Sequence, residues 1–301
     1  MKLTILGCYS ATPRIDTHPT SQLLEVNGHM FLIDCGEGTQ VQLRRYKVKF
    51  SRIKHIFISH LHGDHFFGLV GLISTFQLLG RDTELHVYGP KGIKEAITLQ
   101  LKLGNSWTPF ALIFHELTSK KPELIFEDDK VTVETIPLDH RVYTNGFLFK
   151  EKEGERKLLI EKVLEANINV AYYNKLKLGF DVENEDGVLI DHTKVTMPPP
   201  PPKSYAFCSD TTYKPDNADQ LKGVNVIYHE STFLESHAHL CKKTKHSTAK
   251  QAAQIAKLAK AKALILGHYS TRYNDLEDFR REAKEIFDNV ALAEDGKVFD
   301  F

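Results

Sequence analysis

Residues 57–69 read FISHLHGDHFFGL and place four potential metal ligands, His60, His62, Asp64 and His65, within six positions after a short apolar run. Alternate side chains of an extended strand share a face, so we expect His60, His62 and Asp64 to lie on one side. A turn at the glycine between them would bring His65 back towards the same point. Imidazole and carboxylate groups suit zinc, and less well manganese or iron. The stretch therefore predicts a metal centre.

Four strand-like runs in the second half of the chain also end in clusters of polar side chains: VTVETIPLDH, SYAFCSDT, NVIYHEST and AKALILGHYS. In an open α/β sheet, ligands bind at the carboxyl ends of strands, so these distant clusters are expected to converge. A catalytic zinc ion takes about four ligands and keeps a position for water, so two ions need more ligands than the first motif offers. His140, Asp210 and His268 are the candidates, and Asp210 has two oxygens with which to bridge both ions.

The order of apolar patterns predicts an α/β layered domain. Strands are expected in KLTILG, QLLEVNG, HMFLIDCG, HIFISH and LHVYGP, and helices in EGTQVQLRRYK, residues 67–79 and PKGIKEAITLQLKL. Further along the chain, HSTAKQAAQIAKLAKAKA is predicted to be a helix with Ser247 as its N-cap, and LEDFRREAKEIFDN to be another.

Residues 151–202 depart from this pattern. They contain a charged turn, a short amphipathic helix in KLLIEKVLEANIN, and a polar stretch that ends in five prolines. We interpret the chain as one domain, residues 1–301, with residues 151–202 as an inserted arm. The alternative is that the insertion is a disordered acidic loop.

Composition narrows the class of protein. Of the 301 residues, 42% are hydrophobic, which allows a substantial core. Lysine plus arginine and aspartate plus glutamate both number 39, so a polyanionic partner would have to be held by local basic patches. Four scattered cysteines predict reduced thiols. Without a leader-like start or a run of roughly 18 apolar residues, we expect a cytoplasmic protein that does not enter a membrane.

Several of these motifs resemble those of a known family. SHLHGDH is similar to the HxHxDH signature of the metallo-β-lactamase fold, whose αββα sandwich holds two metal ions at its strand ends. Within that fold, the chain most resembles ribonuclease Z, an endonuclease that removes the 3′ trailer from precursor transfer RNA. The resemblance runs from LTILG through FLIDCGEGTQVQL, FCSDT, HEST and KHSTAKQAA to LGHYSTRY, and HEST and KHSTAKQAA are its most discriminating pieces.

The resemblance implies two zinc ions per subunit. One would be held by His60, His62 and His140 and the other by Asp64, His65 and His268, with Asp210 between them. It further implies that Asp64 acts as a general base towards the attacking water.

In the same way, the resemblance implies that His246 protonates the leaving oxygen with the support of Glu230. The products would be a transfer RNA with a 3′-hydroxyl and a trailer with a 5′-phosphate. It also implies a homodimer in which the arm reaches over the partner's active site.

Local basic patches are expected to bind the precursor RNA. The basic stretches at residues 44–54 and 242–246 are candidate phosphate contacts, although the first could equally be a solvated amphipathic surface. Tyr172, Tyr173, Lys175 and Lys177 of the arm are predicted to contact the transfer RNA elbow.

Two other functions fit the same residues. The first is a hydrolase of the same fold that acts on a small phosphodiester or another ester. The second is an RNA-binding protein whose metal ions are structural and which has no catalytic activity.

Overall fold

The structure, a computed structural model, describes residues 1–301 and contains eighteen strands and eleven α-helices. The strands are β1 (Lys2–Gly7), β2 (Ser21–Val26), β3 (His29–Ile33), β4 (Ile53–Phe57), β5 (Leu85–Pro90), β6 (Leu112–Leu117), β7 (Leu124–Glu127), β8 (Val131–Pro137), β9 (Asn145–Glu151), β10 (Lys157–Leu158), β11 (Val182–Glu183), β12 (Leu189–Ile190), β13 (Thr196–Met197), β14 (Ser204–Cys208), β15 (Val226–Glu230), β16 (Ala263–Gly267), β17 (Val290–Leu292) and β18 (Val298–Asp300). The helices are α1 (Thr39–Arg45), α2 (Gly63–Phe66), α3 (Gly68–Leu78), α4 (Ile93–Leu103), α5 (Ile160–Glu165), α6 (Tyr173–Lys177), α7 (His192–Val195), α8 (Asn217–Gln220), α9 (Ala238–Thr244), α10 (Ala249–Leu258) and α11 (Glu277–Lys284).

Two seven-stranded mixed sheets form the body of the protein. The first sheet has the order β18-β1-β2-β3-β4-β5-β6, and the second has the order β17-β16-β15-β14-β9-β8-β7. Strands β3 to β6 run parallel in the first sheet, as do β14 to β17 in the second. Polar loops that follow parallel strands therefore gather at one edge of each sheet.

Alternating side chains divide the core into layers. Phe31 and Phe57 point from the first sheet towards the second, and the ring of Phe31 lies 5.5 Å from that of Phe149. Their neighbours Leu32 and Ile56 point the other way, into a cluster formed with helices α3 and α4. Because α10 covers the outer face of the second sheet, the architecture is the αββα sandwich expected from the sequence.

Helix α10 begins one residue later than expected. Its N-cap is Thr248, whose side chain accepts a hydrogen bond from the Gln251 N–H in a capping box, so the assignment of Ser247 as N-cap is wrong. The Ser247 hydroxyl instead donates to the carbonyl of Thr211 at 2.7 Å, and its N–H donates to Glu230 at 2.9 Å. Ser247 is thus hydrogen-bonded to residues at the ends of β14 and β15 instead of to the helix.

A close backbone contact fixes the start of α3. The N–H of Gly68 donates to the carbonyl of Cys35 at 2.9 Å, and a Cβ at Gly68 would lie 2.1 Å from the carbonyl oxygen of Gly36. Only glycine allows this approach, which holds the loop after β3 against the segment that carries the HxHxDH motif.

Residues Glu151–Pro202 form a separate compact unit. Its small core comprises Val163, Ile168, Leu176, Val182 and Val195, and two two-stranded antiparallel sheets, β10-β13 and β11-β12, complete it. The predicted amphipathic helix is present as α5 but is only six residues long. The segment is folded, so the alternative of a disordered loop is wrong.

None of the helices combines the length and the apolar composition that a membrane span requires.

Candidate metal centre

The HxHxDH motif follows β4 without extending it. The strand ends at Phe57, His60 and His62 lie in the loop that follows, and Asp64 and His65 lie on the single turn of α2. The expectation that alternate residues of one strand would align the ligands is therefore wrong. A loop and a helical turn aim these side chains instead.

Asp34 contacts the chain just after the end of β4. Its carboxylate accepts hydrogen bonds from the N–H of Ser59 at 2.7 Å and from the Ser59 hydroxyl at 2.8 Å. These contacts take the place of a strand partner, so the chain can turn away from the sheet immediately before the first ligand.

The first group of ligand side chains contains His60, His62, His140 and Asp210, whose ligand atoms lie within 4.8 Å of one another. His62 Nδ1 lies 3.0 Å from His60 Nε2 and 3.2 Å from His140 Nε2. Asp210 Oδ2 lies 3.6 Å from His60 Nε2. Zinc–nitrogen bonds of 2.0–2.1 Å imply tetrahedral ligand atoms roughly 3.3 Å apart, so this group fits one zinc ion.

The second group contains Asp64, His65 and His268, and it reaches the other oxygen of Asp210. Asp64 Oδ2 lies 3.4 Å from His65 Nε2 and 3.5 Å from His268 Nε2. Asp210 Oδ1 lies 3.4 Å from His65 Nε2 and 3.2 Å from His268 Nε2. The two oxygens of Asp210 thus face different groups, as a bridging carboxylate requires.

Three buried atoms of the second group have no hydrogen-bond partner: His65 Nε2, His268 Nε2 and Asp210 Oδ1. Burying polar atoms without partners costs about 1–3 kcal/mol each. A cation among them would satisfy all three, so the residues fit a metal ion.

The other nitrogen of four ligand imidazoles is held by a hydrogen bond, which fixes the ring orientation and directs the free nitrogen towards the metal position. The Nδ1 contacts are His60 to Ser59 Oγ at 3.0 Å, His65 to Asp34 Oδ2 at 2.7 Å, His140 to the Lys245 carbonyl at 2.8 Å and His268 to Thr232 Oγ1 at 2.9 Å.

Sequence reasoning missed these supporting groups. Asp34 lies in the FLIDCG stretch and Thr232 in HEST, so both were within recognised motifs, and the acidic residue after an apolar strand was a usable signal. The Lys245 carbonyl left no signal, because its role depends only on backbone position.

His246 and Glu230 form a buried pair beside the ligands. His246 Nδ1 lies 3.0 Å from Glu230 Oε1, and its ring centre is 5.1 Å from that of His140. Glu230 is fully buried, and four further donors from Thr211, Thr232 and Ser247 contact its carboxylate. The carboxylate is therefore held in one orientation.

Neighbouring charges raise the pKa of His246 and lower the pKa of Asp210. Burial alone would lower the pKa of His246, but the carboxylates of Glu230 and Asp210 outweigh it and raise this pKa to about 9. Burial alone would raise the pKa of Asp210, yet the surrounding imidazoles, His268 and His65 foremost, hold it well below its ordinary value. Carboxylates are thus ionised where cations would bind.

Three residues of the site have left-handed backbone conformations although they are not glycine: Asp34 at φ 56°, Lys245 at φ 61° and His268 at φ 58°. Such conformations cost about 1–3 kcal/mol each and are kept where surrounding contacts impose them. Here each one supplies a ligand or orients one.

Relatives named Ribonuclease Z match the chain over nearly its whole length. The protein of Bacteroides fragilis (strain YCH46) is 45% identical over 294 residues, which are 98% of this chain and 97% of the relative. That of Cytophaga hutchinsonii is 47% identical over 299 residues, 99% of this chain and 95% of the relative. The chain belongs to the ribonuclease Z family. It is a metal-dependent endoribonuclease of the metallo-β-lactamase fold.

Solved structures and a family model extend this result. The short form of human tRNase Z (ELAC1) superimposes with a TM-score of 0.73 at 27% identity, covering 100% of this chain and 99% of that one. The Bacillus subtilis metallo-β-lactamase fold protein YhfI has a TM-score of 0.69 at 18% identity, with 99% and 98% covered, and shares the fold. A family model described as Anti-Pycsar protein Apyc1 matches residues 1–159. That match ends before Asp210, whereas the ribonuclease Z relatives cover the whole site.

Proposed function

We propose that this chain hydrolyses the phosphodiester bond between transfer RNA and its 3′ trailer, leaving a 3′-hydroxyl on the transfer RNA and a 5′-phosphate on the trailer. The meeting of seven ligand side chains and the buried His246–Glu230 pair at one edge of the sandwich carries this proposal. The pair adds an acid to the metal centre, as cleavage of an RNA backbone requires.

Two zinc ions are the proposed cofactors, with His60, His62 and His140 holding one, Asp64, His65 and His268 the other, and Asp210 both. When bound, the ions supply positive charge opposite the phosphoryl oxygens and lower the pKa of water. Elemental analysis of carefully prepared protein should find two zinc ions per chain. The protein variant Asp210→Ala should bind less metal in both positions.

Asp64 is proposed to orient the attacking water as a general base. Its carboxylate is mostly buried, and its contacts with His65 and His268 hold one oxygen near the ligand nitrogens. The pKa of Asp64 lies well below its ordinary value, because the effect of His65 and His268 exceeds that of burial. Asp64 is therefore ionised and able to accept a hydrogen bond from water.

His246 is proposed to protonate the departing 3′ oxygen. Glu230 contacts His246 Nδ1, so Nε2 remains for the leaving group. The charge of Glu230 favours the protonated ring, and the buried network around Glu230 prevents the carboxylate from rotating away.

Exposed cations support RNA binding. Arg45, Lys47 and Lys49 are exposed on and after α1, and Lys242 and Lys243 are exposed on α9, four and three residues before His246. If these cations contact phosphates, the affinity for precursor RNA falls as salt rises, with a slope of about 0.7–0.9 per contact on logarithmic axes.

The folded unit Glu151–Pro202 is proposed to contact the elbow of the transfer RNA. Lys175 Nζ lies 5.5 Å from the centre of the Tyr172 ring, and Val170 and Phe180 are 71% and 61% exposed. Such apolar and cationic groups suit the bases and phosphates of an RNA loop. Deleting the unit should raise KM for precursor transfer RNA much more than it changes cleavage of a small phosphodiester.

A homodimer and a cytoplasmic location are also proposed. Leu78 on α3 and Leu103 on α4 are 85% and 78% exposed on helices that pack together, which supports a covered apolar surface. Four free, buried cysteines fit a reducing compartment. Sedimentation should show a dimer, and the protein variant Leu103→Glu should shift it towards monomer.

The decisive experiment is incubation of the zinc-loaded protein with labelled precursor transfer RNA, with the cut mapped to the nucleotide. A single cut at the 3′ side is expected. The second candidate is a hydrolase of small phosphodiesters, which would use the same fold and the same metal ligands. It predicts rapid hydrolysis of bis(p-nitrophenyl) phosphate and intact RNA, whereas bound but uncleaved RNA with full metal loading would favour a non-catalytic RNA-binding protein.

A further inference from the structure

A polar cavity of about 640 Å³ borders the metal centre at His140. Its walls come from the segment after β8, residues 137–145, and from residues 212–214 after β14, with Ser119 and Lys120 on a third side. The volume falls in the range of small-molecule sites, roughly 300–1,000 Å³. None of the roles described above uses it.

The cavity has an excess of positive charge. Lys120, Arg141 and Lys214 line it, and neither Lys120 nor Arg141 forms an ion pair. Its one carboxylate, Asp139, is engaged by Lys245 Nζ at 3.1 Å and accepts a hydrogen bond from Thr212 Oγ1 at 2.7 Å. The charges left to face a ligand are therefore cationic.

One wall is rigid and carries an aromatic ring. Asn145 Nδ2 donates to Tyr143 Oη at 2.8 Å, and Tyr143 Oη donates to the Ser119 carbonyl at 2.8 Å. The N–H of Asn145 also donates to the carbonyl of Ser59 at 3.1 Å, one residue before the ligand His60. This wall is thus tied directly to the loop that carries the metal ligands.

We propose that the cavity binds a nucleotide adjoining the scissile phosphate, with the phosphate groups contacting Arg141, Lys214 and Lys120 and the base lying beside Tyr143. The inference rests on the proposed function, because the nucleotide belongs to the precursor RNA. Cations and an aromatic ring in a concave site suit an unpaired nucleotide rather than a helix, whose bases are already stacked.

The nucleotide could belong to the trailer or to the transfer RNA side of the cut, and trailer length separates the two. The variants Arg141→Ala and Lys214→Ala would be assayed on precursors with trailers of one nucleotide and of several nucleotides. Lys214→Ala leaves the Pro137 carbonyl satisfied, since Asn217 Nδ2 also donates to it at 3.2 Å. Lys257→Ala, an exposed position on α10, is the matched control, and Arg141→Lys tests whether charge alone rescues binding.

Each alanine variant at the cavity is expected to lower kcat/KM for the precursor about tenfold, as for one lost charge-assisted hydrogen bond. The slope of log kcat/KM against log salt should become shallower by about 0.7. The ratio of precursor cleavage to bis(p-nitrophenyl) phosphate hydrolysis should fall in parallel. A loss seen only with longer trailers assigns the cavity to the trailer, and a loss with every trailer assigns it to the transfer RNA side.

If the wild-type protein cleaves precursor RNA but the cavity variants keep the wild-type salt slope, this inference is wrong and the proposed function stands. Equal losses on both substrates would also overturn it, because they would indicate a damaged metal centre. A wild-type protein that leaves the RNA intact would overturn the proposed function and this inference together.

Discussion

Replacing His246 by alanine separates catalysis from structure at this site. Glu230 accepts five hydrogen bonds, and four of them, from Thr211, Thr232 and Ser247, do not involve the imidazole. The carboxylate therefore stays satisfied in the variant. The cost in the free energy of unfolding should be that of one charge-assisted hydrogen bond, about 1.5–3 kcal/mol. A domain of this kind remains folded after such a loss.

The expected loss of rate is larger. Removing a general acid lowers the rate by about 10²–10⁴, which corresponds to about 3–5 kcal/mol of transition-state stabilisation. A ribose 3′ oxygen needs a proton to leave, whereas p-nitrophenolate is stable as an anion. His246→Ala should therefore slow cleavage of precursor transfer RNA by that factor while slowing hydrolysis of bis(p-nitrophenyl) phosphate far less.

The assay is single-turnover cleavage of labelled precursor beside hydrolysis of the nitrophenyl ester, with metal content measured in the same preparations. His239→Ala, an exposed histidine on α9, is the matched control and should behave as wild type on both substrates. An equal fall on the two substrates, or unchanged RNA cleavage, would remove His246 from the role of acid.

Three further outcomes are expected. Asp34→Asn should weaken metal binding about 10–100-fold, because the amide cannot hold both His65 and Ser59 as the carboxylate does, and competition with a chelating dye would measure it. Gly68→Ala should lower the free energy of unfolding by about 1–3 kcal/mol through its clash with the carbonyl of Gly36, and unchanged denaturant midpoints would contradict the close contact. Removing metal with a chelator should lower the melting temperature, because the buried Asp210 carboxylate loses its counter-charge and the nearby ring nitrogens lose their partner, and zinc should restore it in calorimetry.

The candidate ligands were readable from the sequence because each follows an apolar run that becomes a buried strand. His140, Asp210 and His268 come within three residues of the ends of β8, β14 and β16, and these strands of the second sheet bring the three positions together. The path of the chain through the HxHxDH motif could not be predicted from the sequence. The chain after β4 is held by hydrogen bonds from Ser59 to the distant Asp34, and no pattern within residues 57–69 indicates that contact.

Contacts with distant residues also explain other differences between the predicted and the observed elements. Thr248 rather than Ser247 caps α10 because the Ser247 hydroxyl is used by Thr211, a residue far away in the chain. Strand β9 was not predicted, and it lies where the charged start of the insertion obscures a short apolar run, GFLF. Local patterns identified the layers, while tertiary hydrogen bonds decided where individual elements begin and end.

The two ligand groups each draw on both sheets. His60, His62, Asp64 and His65 follow a strand of the first sheet, and the remaining three ligands follow strands of the second. A bound ion would thus act as a removable cross-link between the two sheets at this edge of the sandwich. Metal supply in the cell would then govern how often this end of the protein opens, and hydrogen exchange of the amides in β4 and β14 should quicken when the ions are withdrawn.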